Sequence, residues 1–148
     1  MSLEGDLEAA RRWLEQAALD LAAAEDVAER HAHVACFLCQ QAAEKAVRAL
    51  LYAQGAERRT GHNISELLSR LPGGSDLVDA ADALALDLLY QATRYPDALG
   101  GAVPGRLFTK AQATEALTVA QRIVGTSGQV LAALEESASP EDKPGGRP

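Results

Sequence analysis

Aromatic side chains are scarce in this chain: one Trp, three Tyr and two Phe make up 4% of 148 residues. Hydrophobic residues nonetheless reach 47%, mostly as Ala and Leu, a composition that favours closely approaching helices over sheets. An all-α fold is therefore predicted. At this length the chain is expected to form one domain, burying about two thirds of its unfolded surface.

No apolar run approaches the roughly 18 to 20 residues of a membrane-spanning helix. The acidic N-terminus also lacks the basic start and apolar stretch of a signal peptide. A soluble cytoplasmic protein with no membrane contact is expected. Basic charge is likewise short, since 14 Lys and Arg against 21 Asp and Glu leave a net charge of −7. That balance excludes coating nucleic acid by bulk electrostatics and leaves room for a local basic patch.

There are only two cysteines, Cys36 and Cys39. Their spacing puts both on one helical face, and His33 extends the row. Metal sites of this class take about four ligands, and redox pairs usually sit at a helix N-terminus. A mid-helix pair with one His meets neither condition, so the thiols are read as buried structural groups. No metal and no cofactor is expected.

The absence of Pro from Leu3 to about Glu29 predicts one long helix. Leu7, Leu14, Leu21 and Ala28 form a heptad row with Ala10, Ala17 and Ala24 interleaved, which lets an antiparallel helix approach closely. Trp13 and Asp20 lie beside this seam. A second helix is predicted from about His33 to Ala53, ending near Gly55, which suits the left-handed C-terminal position. Its apolar face carries Cys36, Cys39, Ala43, Ala46, Val47 and Leu50; Gln41, Glu44, Lys45 and Arg48 form the opposite one. Phe37 falls among those polar residues, so this face is expected to be partly covered by another helix or a second subunit.

Asn63-Ile64-Ser65-Glu66 resembles a capping box opening a short third helix to about Leu71, stopped by Pro72-Gly73-Gly74. A fourth helix is predicted from Ser75 or Asp76 to about Arg94, with Leu77, Ala80, Ala81, Leu84, Leu88 and Gln91 as its inward stripe. Pro96 pushes Tyr95 toward an extended conformation and ends it. After a Gly- and Pro-containing loop, Thr109 with Gln112 starts a fifth helix, with Ala113, Leu117, Ala120 and Val124 facing in. Residues 1–136 are assigned to the bundle and 137–148 to a disordered tail.

Trp13 and Asp20-Leu21, Gln40-Gln41-Ala42-Ala43-Glu44-Lys45-Ala46, Gly61-His62 with Leu67-Leu68, Arg94-Tyr95-Pro96-Asp97 and the Thr109-led last helix occur in one order. In that order they resemble the small stand-alone HEPN domains of prokaryotes, over roughly Leu7 to Val124. The resemblance implies an antiparallel bundle of four to five helices that commonly dimerises. It implies one of two roles: a metal-independent endoribonuclease, or a non-catalytic module that accompanies a minimal nucleotidyltransferase in a toxin–antitoxin-like context and helps bind nucleotide or RNA.

HEPN nucleases are similar to one another in an Arg and a His separated by four to six intervening residues. Here the positions after Arg94 are Leu99, Gly100 and Gly101, and those before His62 are Glu57, Ala56 and Gly55. The motif is absent, so the binding role is expected over catalysis. Metal-free RNA cleavage needs a base, an acid and a cation for the phosphorane. Arg94 and His62 are the catalytic candidates left for that alternative; a purely structural dimeric protein is a third.

Arg94 has two readings: a forked cation for phosphate, or a helix C-terminal cap paired with Asp97 or Glu44. The ligand-contact candidates are Arg94, Tyr95, Asp97, His62, Gln41, Glu44, Lys45 and Arg48, the last four equally able to form a polar network that fixes helix register. Glu44 and Arg48 are spaced for a helical ion pair. Arg58-Arg59 is a basic loop pair for phosphate or for solvent. The expected partners are a second copy of the chain, a nucleotidyltransferase protein, and a nucleotide or RNA ligand.

Overall fold

The computed structural model describes residues 3–56 and 60–138. The basic pair Arg58-Arg59 and residues 139–148 of the predicted tail lie outside that range. The described residues are helical, with no strand among them: α1 (Leu3–Val27), α2 (Ala32–Ala53), α3 (Ile64–Ser69), α4 (Gly74–Leu77), α5 (Ala80–Asp87), α6 (Leu89–Ala92), a 3₁₀ turn (Pro96–Leu99), α7 (Pro104–Leu107) and α8 (Lys110–Ala138).

The three long helices make the frame. Trp13 stacks on Tyr52, and Asp20 pairs with Lys45, so α1 and α2 run antiparallel. Arg11 pairs with Glu135 and Glu29 with Lys110, so α8 also runs against α1 and beside α2 in the same sense. The small-residue seam predicted for α1 is what allows this contact: Ala10, Ala17 and Ala24 are fully buried, with Leu7 and Ala28 nearly so. Larger side chains complete the core, among them Leu50, Leu51, Ile64, Leu67, Leu86 and Ile123. Each such burial contributes about 1.5–3 kcal/mol.

Local signals set several helix ends as expected. Gly55 follows α2 with φ +65°, and the Asn63 side chain accepts from Glu66 N at 3.0 Å to cap α3. Thr109 and Gln112 cap α8 reciprocally, through Thr109 N to Gln112 Oε1 at 2.8 Å and Gln112 N to Thr109 Oγ1 at 3.2 Å. Two bounds differ: α3 ends at Ser69, short of the predicted Leu71, and α8 runs to Ala138, which takes Ser137 and Ala138 out of the predicted tail.

The predicted single helix from Ser75 to Arg94 does not form. Val78 is extended at φ −138°, ψ 133°, and Asp79 restarts the chain by accepting from Ala81 N at 2.8 Å. A short carboxylate satisfies first-turn N–H groups better than a continued helix does at this point. The expected inward stripe is also rotated. Val78, Ala83, Leu86 and Thr93 are buried, whereas Leu84 and Leu88 are 55% and 67% exposed and Ala80, Ala81 and Gln91 face solvent. The break frees α5 to turn Ala83 and Leu86 toward its neighbours α3 and α8.

Cys36 and Cys39 are buried free thiols, as the mid-helix reading required. Burial pushes Cys36 up to about 11 and Cys39 up to about 12, from a usual value of 9.0. Thiol reagents at neutral pH are therefore expected to label the protein only after unfolding. In alkali the unfolded chain loses these protons first, so it binds fewer than the folded one. Stability from the two neutral thiols is complete below about pH 9 and lost as pH rises toward the folded values. Urea midpoints that hold constant through that window would contradict this.

Candidate functional site

The polar side of α2 is neither bare nor solvated. Glu44 is 2% exposed, and its carboxylate accepts from Arg48 Nη2 at 2.7 Å on one oxygen and from Gln41 Nε2 at 3.0 Å on the other. The helical spacing of Glu44 and Arg48 produces the pair predicted from sequence. Arg48 also donates to the carbonyl of Gly61 and lies over the Trp13 ring, with 4.8 Å from its guanidinium carbon to the centroid. The cover expected over this face comes from the chain itself, as the loop before α3 and the α1 residue Trp13.

That loop brings His62 onto Glu44. His62 Nδ1 lies 2.9 Å from Glu44 Oε1. Carboxylate oxygens only accept, so Nδ1 carries a proton and Nε2 is the ring nitrogen left without a partner among the described residues, on a side chain that is 61% exposed. Gln41 Nε2 donates to Gln40 Oε1 at 2.7 Å, and Gln40 Nε2 donates to the His62 carbonyl at 3.0 Å. Glu44, Gln41, Gln40 and His62 thus close a ring of hydrogen bonds that fixes both the loop and the imidazole.

The other wall comes from α6 and the turn after it. The Tyr90 ring stacks on the His62 imidazole at 4.8 Å and 13°. The Arg94 guanidinium also lies against Tyr90, at 4.4 Å, and against Phe37 at 4.6 Å and Tyr95 at 4.7 Å. Its Nε donates to the Tyr90 carbonyl at 2.8 Å and Nη1 to the Tyr95 hydroxyl at 3.3 Å. Among the described residues it faces no carboxylate. The cap read as a pairing of Arg94 with Asp97 or Glu44 is therefore corrected: Glu44 is occupied by Arg48, Gln41 and His62, and Arg94 closes its helix end through a backbone carbonyl.

The HEPN domain model matches residues 10–130 of the sequence. The chain belongs to the HEPN family. TT1696 from Thermus thermophilus is 39% identical, with a TM-score of 0.74 over 81% of this chain and 96% of that one. ST0689, an archaeal HEPN homologue, is 36% identical, with a TM-score of 0.69 over 82% and 97%. No curated protein matches the chain.

Of the site residues predicted for this HEPN chain, Arg94, Tyr95, His62, Gln41, Glu44 and Arg48 share one contiguous network. Lys45 turns away, to Asp20 on α1, and Asp97 is exposed on the 3₁₀ turn without an Arg94 contact. Tyr90 and Gln40 are central here and are missing from the set predicted from sequence. Tyr90 precedes Arg94 by four residues, a spacing that puts both on one helical face and would have identified it. Phe37 is out of place in the helical pattern because it packs against Arg94. No group of His, Cys, Asp and Glu able to hold a metal occurs among the described residues. Nor is any described helix long and apolar enough to cross a membrane.

Chemically, the arrangement offers a guanidinium held by three rings and a carbonyl, and an exposed imidazole that contacts one of the same rings, Tyr90. Three aromatic faces balance the charge only weakly, at about 0.5–2 kcal/mol each. Such a cation retains most of its attraction for an incoming anion.

Proposed function

We propose that this HEPN chain is a non-catalytic binding module that takes the phosphate of a nucleotide or RNA strand on Arg94, with His62, Tyr90 and Tyr95 as flanking contacts. The observation that supports it is the Arg94 guanidinium, fixed in place yet without a carboxylate among the described residues. The family resemblance supports a minimal nucleotidyltransferase as the accompanying protein. A net charge of −7 makes binding a local matter at this cation, weakened by salt.

Titration of fluorescent short RNA and of ATP at low salt tests this. Arg94→Ala should weaken binding about tenfold to a hundredfold, the loss of a hydrogen bond to a charged group. Arg94→Lys should recover only part, because a point charge replaces a fork. Equal affinity in wild type and Arg94→Ala would dismiss the reading.

A second reading, a divergent metal-independent ribonuclease, is favoured by the Glu44–His62 hydrogen bond, which leaves Nε2 free to take a proton, and by the contact of His62 and Arg94 with one ring. RNA cleavage that disappears in both Arg94→Ala and His62→Ala would replace the first reading with this one.

We also infer a homodimer. Leu84 and Leu88, one helical turn apart, are 55% and 67% exposed, and Gln91 continues the exposed row. A stripe patterned for burial but left outside its own chain fits a second copy. Sedimentation should give a particle of two 15.6 kDa chains, and Leu88→Glu should return it to one. A wild-type monomer at micromolar concentration would remove this interface.

A further inference from the structure

His62 and Tyr90 meet from segments that share no element. The loop carrying His62 is tied to α2, by Arg48 on the Gly61 carbonyl, Gln40 on the His62 carbonyl and Glu44 on His62 Nδ1. None of these bonds reaches α5. The Asp87 side chain ties the segment that follows His62 to α5. Asp87, the last residue of α5, accepts from Ile64 N at 2.6 Å through Oδ1, and from Ser65 N at 3.2 Å and Ser65 Oγ at 2.7 Å through Oδ2.

We propose that Asp87 is the positioning residue of the Tyr90 site, clamping the start of α3 so that the His62 imidazole stacks on the Tyr90 ring that Arg94 also contacts. Ile64 N and Ser65 N are first-turn donors that α3 cannot satisfy internally, and its own cap, Asn63, takes only Glu66 N. The carboxylate fills both gaps from across the chain, at the end of a helix where negative charge is favoured. His62 lies two residues before Ile64, and Tyr90 three residues after Asp87. A clamp at this point therefore moves imidazole and phenol as one unit. A cap belonging to α3 itself would stabilise the helix equally without tying it to the segment that leads into Tyr90.

The effect on ligand binding rests on the reading of Arg94 and His62 as a phosphate site; the geometric effect does not. Protons held over an aromatic face resonate upfield, so the His62 ring reports its own stacking, with His31 and His33 as references in the same spectrum. In Asp87→Ala the His62 signals should move to the positions of an unstacked histidine. In Asp87→Asn, which keeps one acceptor, they should stop part-way, and this variant serves if the alanine protein does not fold. Asp79→Ala removes a comparable cap from α5 and should lower the unfolding temperature without moving them.

If Asp87→Ala lowers the unfolding temperature while the His62 signals stay upfield, Asp87 only caps α3 and the proposal fails. Displaced signals with weakened RNA binding support both the clamp and the site. Displaced signals with undiminished RNA binding support the clamp and overturn the phosphate site.

Discussion

Replacing Arg48 with alanine is expected to destabilise the protein by about 3–5 kcal/mol, the cost of leaving a buried carboxylate without its cation. The side chains of Glu44 and Arg48 are only 3% and 14% exposed, so water cannot take over. The lost guanidinium also abandons the Gly61 carbonyl and the Trp13 face. Arg48 Nε is buried without a hydrogen-bond partner among the described residues, which trims what the pair gains over an apolar replacement. Combining Arg48→Met with Glu44→Gln should therefore recover part of the loss, since no charge is then stranded. Urea unfolding measures both. A loss under about 1 kcal/mol for Arg48→Ala, typical of exposed ion pairs, would mean that water reaches Glu44 after all.

The second large effect is steric. A Cβ added at Gly74 would lie 2.0 Å from the Leu68 carbonyl oxygen and 3.3 Å from Leu71 Cβ. Backbone of α3 stands there, and no flexible side chain can yield. Gly74→Ala is expected to cost about 3 kcal/mol or more and lower the unfolding temperature by on the order of 10 °C. Gly73 is the contrasting neighbour: its φ is +69°, but nothing lies within 4 Å of an added Cβ. Gly73→Ala should then cost only the left-handed backbone penalty, about 1–2 kcal/mol. Equal unfolding temperatures for the two variants would show that α3 and α4 separate easily.

What the sequence made legible was local. Asn63, Gly55 and the Thr109–Gln112 pair announce helix ends because each satisfies backbone groups within a few residues of itself. The alanine seam of α1 is as readable, since its spacing repeats along the helix. The family resemblance then put Arg94, His62 and Glu44 on one short list.

The remainder depended on contacts between distant segments. Glu44 and His62 are 18 residues apart, and Asp87 reaches Ile64 across 23. No periodicity encodes either meeting. The stripe from Leu77 to Gln91 shows a different limit. A hydrophobic row states that a face wants covering, but not whether the cover comes from the same chain. Among the described residues Leu84 and Leu88 are left 55% and 67% exposed, and reading the row as inward placed the wrong side of α5 against the core.

The central claim is that the surface around Tyr90, carrying Arg94 and His62, receives a phosphate-bearing ligand. Titrating isotope-labelled protein with a short RNA, and running that RNA on a gel afterwards, tests it most directly. The account predicts amide shifts confined to residues 60–64 and 88–97 with the RNA intact. Shifts that avoid those residues, or RNA returned in pieces, would contradict it.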